Sequence, residues 1–168
     1  MKKIIRTILT ILLIALIVIQ FFRPAKNASA EIPQNLITAK HYVPENVQDI
    51  LKISCYDCHS NTTVYPWYWH VQPFAWFLNN HIIDGKRHLN FSEFSVSPLW
   101  RQYKMFKEIG KEVKSGDMPL NSYTLIHRDA VLSADQKLIL ENWADSSMKE
   151  MQSQYPADSL KRKPKTSM

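Results

Sequence analysis

Glycine is scarce in this chain, with three in 168 residues. Sandwiches and barrels built from many short strands depend on glycine-rich turns, so this scarcity argues against both. Cysteine is scarcer still, and the only two are Cys55 and Cys58. Without a second pair, the four-ligand set of a structural zinc site is missing. No cysteine lies near the apolar N-terminus, which excludes a lipoprotein anchor. Internal repeats and a convincing alternating strand pattern are also missing. The folded middle has no surplus of positive charge. The net charge is +6, but residues 1–30 carry five cations and no acid, and residues 152–168 carry four cations against Asp158. Residues 31–151 are therefore left at −2. A nucleic-acid partner would want a basic face on the domain itself, so none is expected. What is present is an ordinary apolar fraction of 45% and length for one domain.

The two cysteines stand in Cys55-Tyr56-Asp57-Cys58-His59. C-x-x-C-H reads as a c-type haem attachment site. On a helical turn, positions i, i+3 and i+4 share a face. Two thiols can then add to the vinyl groups of a haem edge, and the next imidazole can bind the iron from below. Cys55 and Cys58 are thus the expected attachment residues and His59 the proximal ligand. Three plainer readings compete. A thioredoxin-like dithiol needs a βαβ setting, which is not visible. Zinc would need further ligands, and His81 and His88 are too widely spaced for a paired motif. A disulfide across so small a loop would stabilise little.

Residues 1–22 read as a signal anchor or transmembrane segment. Lys2, Lys3 and Arg6 precede a run to Phe22 interrupted only by Thr7, Thr10 and Gln20. Counted from Ile4 the run is just long enough to span a bilayer, and the cations place the N-terminus in the cytoplasm. Ala28-Ser29-Ala30 fits a signal-peptidase site, but Arg23 and Lys26 stand before it, and an uncleaved anchor is the preferred reading. Either fate exports the domain. Residues 23–40 read as a linker broken by Pro24 and Pro33, residues 41–151 as the haem domain, and residues 152–168 as a basic, disordered tail.

Within the domain, a helix is expected from Pro44-Glu45 into the motif, with Val47, Ile50, Leu51 and Ile53 on its apolar side. Trp67, Tyr68, Trp69, Phe74, Trp76 and Phe77 crowd together, and several are expected to wall the haem pocket. A helix from Pro73 should end at Gly85. Ser97-Pro98 starts another, with Leu99, Tyr103, Phe106, Ile109 and Val113 inward and Gly116 at its end. Ser133 and Gln136 have capping-box spacing for a last helix to about Met148, with Leu138, Ile139, Trp143 and Ala144 inward.

A soft thioether suits the sixth position of a haem iron. Met1 is cytoplasmic, Met148, Met151 and Met168 lie at or beyond the last helix, and Met105 sits mid-helix, where methionine is usually filler. Met118 lies in a loop between Gly116 and Pro119 and is the candidate distal ligand; the alternative is a half-buried loop residue.

The order of these features resembles class I cytochrome c. More narrowly, the run from Cys55 to Tyr68, the stretch from His81 through Gly85 to Ser92, and Met118-Pro119 with Tyr123 resemble the bacterial haem-binding domain family over about 41–150. The resemblance implies an all-α, cytochrome c-like fold with one covalently attached haem c. The aromatic, histidine-containing insert between His59 and Ser92 departs from ordinary cytochrome c and could supply another distal ligand.

The expected function is electron transfer by a membrane-tethered monohaem cytochrome on the periplasmic side of the inner membrane, serving redox partner proteins there. Arg87, His88 or Arg101 would meet the propionates. A peroxidase-like enzyme using His81 or His88 beside an open iron is one alternative, and a haem-based sensor or docking module is another.

Overall fold

The computed structural model describes residues 1–163. Of the basic tail 152–168 expected to be disordered, residues 164–168 lie outside this range; within it the last helix runs to Gln154, a 3-10 turn spans Ala157–Leu160, and Leu160 is buried in the main core, so that stretch is part of the fold. The chain is all-α. Seven α-helices follow one another among the described residues: α1 (Lys2–Ile19), α2 (Glu45–Ser54), α3 (Tyr56–His59), α4 (Phe74–His88), α5 (Leu99–Ser115), α6 (Asn121–Thr124) and α7 (Ala134–Gln154). Extended pairing there is limited to one isolated bridge, Ala28 to Thr62.

The core is the seam between α5 and α7. Met105, Phe106, Ile109 and Val113 recur at helical spacing on α5 and face Leu140, Trp143, Ala144 and Met151 of α7. Phe106 meets Trp143 edge-on at 5.5 Å between ring centres. α2 closes the cluster with Val47, Ile50 and Leu51. The expected capping box is present. Ser133 Oγ accepts from the Gln136 N–H at 3.2 Å, and Gln136 Oε1 accepts from the Ser133 N–H at 2.9 Å. The helix it starts runs to Gln154, beyond the predicted end, because Ser147 and Met151 continue the buried stripe. That stripe runs through Leu140, and Leu138 faces water at 57% exposure, against expectation. Ile53 of α2 is exposed as well.

Gly116 ends α5 as expected. Its φ of 80° is left-handed backbone, which a side chain would strain. Gly85 does not end α4; it lies inside that helix, which continues to His88.

Two N-terminal expectations change. α1 has 18 residues, so it is about 27 Å long. Lys2, Lys3 and Arg6 occupy its first two turns. Among the described residues no helix is long and apolar enough to cross a membrane, so the expected spanning segment is not found in that form. Residues 23–40 are not a free linker. Asn27 Nδ2 donates to the Ser60 carbonyl and Thr63 Oγ1, both at 2.9 Å, and Lys86 donates to Asn27 Oδ1 at 2.6 Å. Ser92 Oγ donates to Glu31 at 2.6 Å, and Ile37 is buried in the main core. Proline and asparagine here break periodicity without releasing the segment from the domain.

Candidate functional site

α2 stops at Ser54, and the backbone turns at Cys55 (φ −130°, ψ −40°) before the single helical turn α3. The motif therefore does not continue α2. The Cys55 carbonyl accepts from the N–H of Cys58 (3.2 Å) and of His59 (3.0 Å), so Cys55, Cys58 and His59 have the i, i+3, i+4 relation of a helical turn. Asp57, inside the motif, ties the turn to its surroundings. Its Oδ1 accepts from the Val64 N–H at 3.0 Å and its Oδ2 from the Tyr123 hydroxyl at 2.7 Å. Burial and this bond to Asp57 both push the Tyr123 phenol upward, so it stays a donor. Tyr123 also stacks on His127, 4.2 Å between ring centres, and His127 Nε2 lies 2.9 Å from the Tyr68 hydroxyl.

α4 packs directly over α3. A Cβ placed on Gly85 would lie 2.7 Å from the Cys58 carbonyl oxygen, closer than real contacts allow. This approach brings the carbonyls of Gly85 and Leu89 to His59 Nδ1, each at 3.0 Å. Both are acceptors, so Nδ1 carries the proton and Nε2 keeps a free lone pair. Burial lowers the His59 pKa, opposed by the two carbonyl bonds, and so favours the neutral imidazole that a metal requires. Gly85→Ala tests the contact. In an open helix this change gains about 1 kcal/mol of propensity. Here the overlap with Cys58 should cost about 1–3 kcal/mol and outweigh it. The expected result is a lower Tm; a Tm equal to or above wild type would show that the contact is loose.

Cys55 and Cys58 are free thiols. Burial pushes Cys55 up to about 12 and Cys58 up to about 11. A dithiol redox centre needs the opposite, a lowered pKa with thiolate at neutral pH, so that alternative loses support. The zinc alternative loses support as well: among the described residues no three His, Cys, Asp or Glu side chains gather as ligands for an ion.

Cys55, Cys58, His59 and Met118 all line one cavity of about 470 Å³. Met118 is half-buried, and its N–H donates to the Glu112 carbonyl at 3.1 Å, which seats the loop against the end of α5. Leu51, Leu89, Phe91, Ile109, Val113, Leu132 and Leu140 supply the apolar wall. A family model described as "Haem-binding domain" matches residues 14–146. The chain belongs to the haem-binding domain family. No curated protein and no solved structure matches it.

The cavity of this haem-binding domain suits the group. Its volume lies in the range of about 300–1,000 Å³ usual for small-molecule sites, and it combines an apolar wall with a nitrogen donor, a thioether and two thiols. Three details differ from expectation. Trp67, Tyr68, Trp69, Phe74, Trp76 and Phe77 do not line this cavity. Trp69 forms a separate small core with Ala75, Leu78 and Ile82, while Phe74, Trp76 and Phe77 line a second cavity of about 480 Å³. The two cavities share Cys58, His81, Leu120 and Tyr123. Of the three residues expected near propionates, only His88 lines the first cavity; Arg87 pairs with Asp84 at 3.3 Å, and Arg101 donates to the Arg87 carbonyl. Met105, read as filler, is buried in the core and also borders the first cavity.

The supporting residues Gly85, Leu89, Asp57 and Tyr123 escaped sequence reasoning in these roles. Leu89 and Gly85 act through backbone carbonyls, which leave no trace in side-chain type. Gly85 left one signal, a glycine inside an otherwise regular helix.

Proposed function

We propose that this haem-binding domain holds one haem c covalently and carries single electrons, in the manner of class I cytochrome c. The observation that supports this reading best is the meeting of Cys55, Cys58, His59 and Met118 on one cavity. Cys55 and Cys58 would hold the group by thioethers to its vinyl carbons, a redox-neutral addition in which the thiol hydrogen would pass to the other vinyl carbon. His59 offers Nε2 to the iron while its Nδ1–H stays on the Gly85 and Leu89 carbonyls, which orient the ring and raise its basicity. Met118, on the same cavity, would offer its sulfur as the second ligand. When bound, the group supplies a one-electron iron couple, whose potential a Met/His pair raises. With His59 and Met118 both ligating, no donor position would be left for a substrate. Redox proteins of the periplasm or inner membrane would be the partners. The domain would lie on the exported side, with the exposed apolar side chains of α1 in contact with the membrane.

One observation favours a second reading. His81 and His88 both border the cavity, and His81 Nδ1 donates to the Phe77 carbonyl at 2.8 Å, leaving Nε2 free for acid–base work. Peroxide with a reducing dye separates the two. An electron carrier should show a low-spin spectrum, slow CO binding and no turnover at an enzymic rate; rapid turnover would favour the peroxidase.

A further inference from the structure

The end of α1 is fixed to the start of α4. The Gln72 N–H donates to Gln20 Oε1 at 2.9 Å, and Gln20 Nε2 returns a bond to the Gln72 carbonyl at 3.3 Å. The Phe22 carbonyl accepts from Gln72 Nε2 at 2.7 Å and from Trp76 Nε1 at 2.9 Å. Arg23 donates to the His70 carbonyl at 2.9 Å. The direction in which α1 leaves the domain is thus set by five hydrogen bonds.

Beside this junction the domain leaves large aromatic rings in water. Trp67 is 76% exposed, Phe77 54% and Phe74 52%. They belong to one surface: Tyr68 touches Trp67 and Phe74 edge-on, and Phe74, Trp76 and Phe77 together border the second cavity. Phe21 and Phe22 continue it toward α1, where no residue is buried. Cations stand at the margin: Arg23 at the junction, and Lys26 over the Tyr65 ring at 5.4 Å.

We propose that this aromatic face rests on the lipid bilayer, continuous with α1, and so holds the domain in one orientation against the membrane. Aromatic rings favour the headgroup level, and flanking Arg and Lys side chains reach the lipid phosphates. A bilayer fits better than a protein partner because α1 exposes apolar side chains along its whole length and the rigid junction carries that surface onto α4. The inference rests on the membrane association proposed above only for the contact of α1.

The test uses the full holoprotein on vesicles of phosphatidylethanolamine and phosphatidylglycerol carrying a phospholipid with a photoactivatable acyl chain. Labelled peptides are then located by mass spectrometry. Label in both 4–22 and 67–83 is the expected result. In a Phe74→Ser/Phe77→Ser variant, label in 67–83 should be lost while label in 4–22 persists. Label confined to 4–22 in the wild type would overturn the face and leave the contact of α1 standing. No label in either would overturn both.

Discussion

Cys55→Ala/Cys58→Ala protein should run on a denaturing gel with no haem-derived peroxidase stain, while wild-type protein stains at its full mass. Nothing but these two sulfurs in the chain can form a thioether to a vinyl carbon, since Cys55 and Cys58 are its only thiols. Each single variant retains one bond and should still stain, at reduced yield. Neither cysteine belongs to the fully buried core, and no disulfide is lost, so the double variant should remain folded. His59 and its two carbonyl partners persist, so haem can still bind loosely in native buffer. Stain equal to wild type in the double variant would place the attachment elsewhere. The high pKa of both thiols adds a further expectation: in the haem-free chain, alkylation at neutral pH should be slow, because the thiolate is the reactive form.

Met118→Ala should convert a low-spin protein into a high-spin or water-bound form that takes CO readily. The sulfur is the soft donor on the loop that α5 seats through Glu112, and alanine leaves that backbone bond in place. The reduction potential should fall, since the thioether favours ferrous iron. Met105→Ala is the necessary comparison, because Met105 borders the same cavity from the core. It should cost about 2–5 kcal/mol in packing and leave the spectrum low-spin. If Met118→Ala changes neither spin state nor CO affinity, His81 and His88 become the candidates for the distal side.

The helical turn of the C-x-x-C-H motif, the all-helical class and the closing helix were legible in the sequence because each rests on local spacing. C-x-x-C-H needs one turn, the Ser133 capping box needs four residues, and Gly116 announces its own positive φ. Tertiary contacts were not legible. Gly85 looked like a helix end, yet the chain keeps it as a mid-helix gap that Cys58 fills. Trp67 to Phe77 looked like a wall for the haem because they follow the motif closely, but α4 turns Phe74, Trp76 and Phe77 to a second cavity, Trp69 enters a small core of its own and Trp67 faces water. Residues 23–40 looked free because their partners, Ser60, Thr63, Lys86 and Ser92, lie far along the chain. Leu138 and Ile53 show the same limit on a smaller scale, since pattern alone does not choose between neighbouring apolar positions on a helix.

Extraction of the denatured wild-type protein with acidic acetone bears most directly on covalent attachment. Two thioethers do not dissociate under acid, so the colour should stay with the protein precipitate and leave the acetone clear. Colour passing into the acetone would mean that the haem is held by ligation alone and that Cys55 and Cys58 do not bind it covalently.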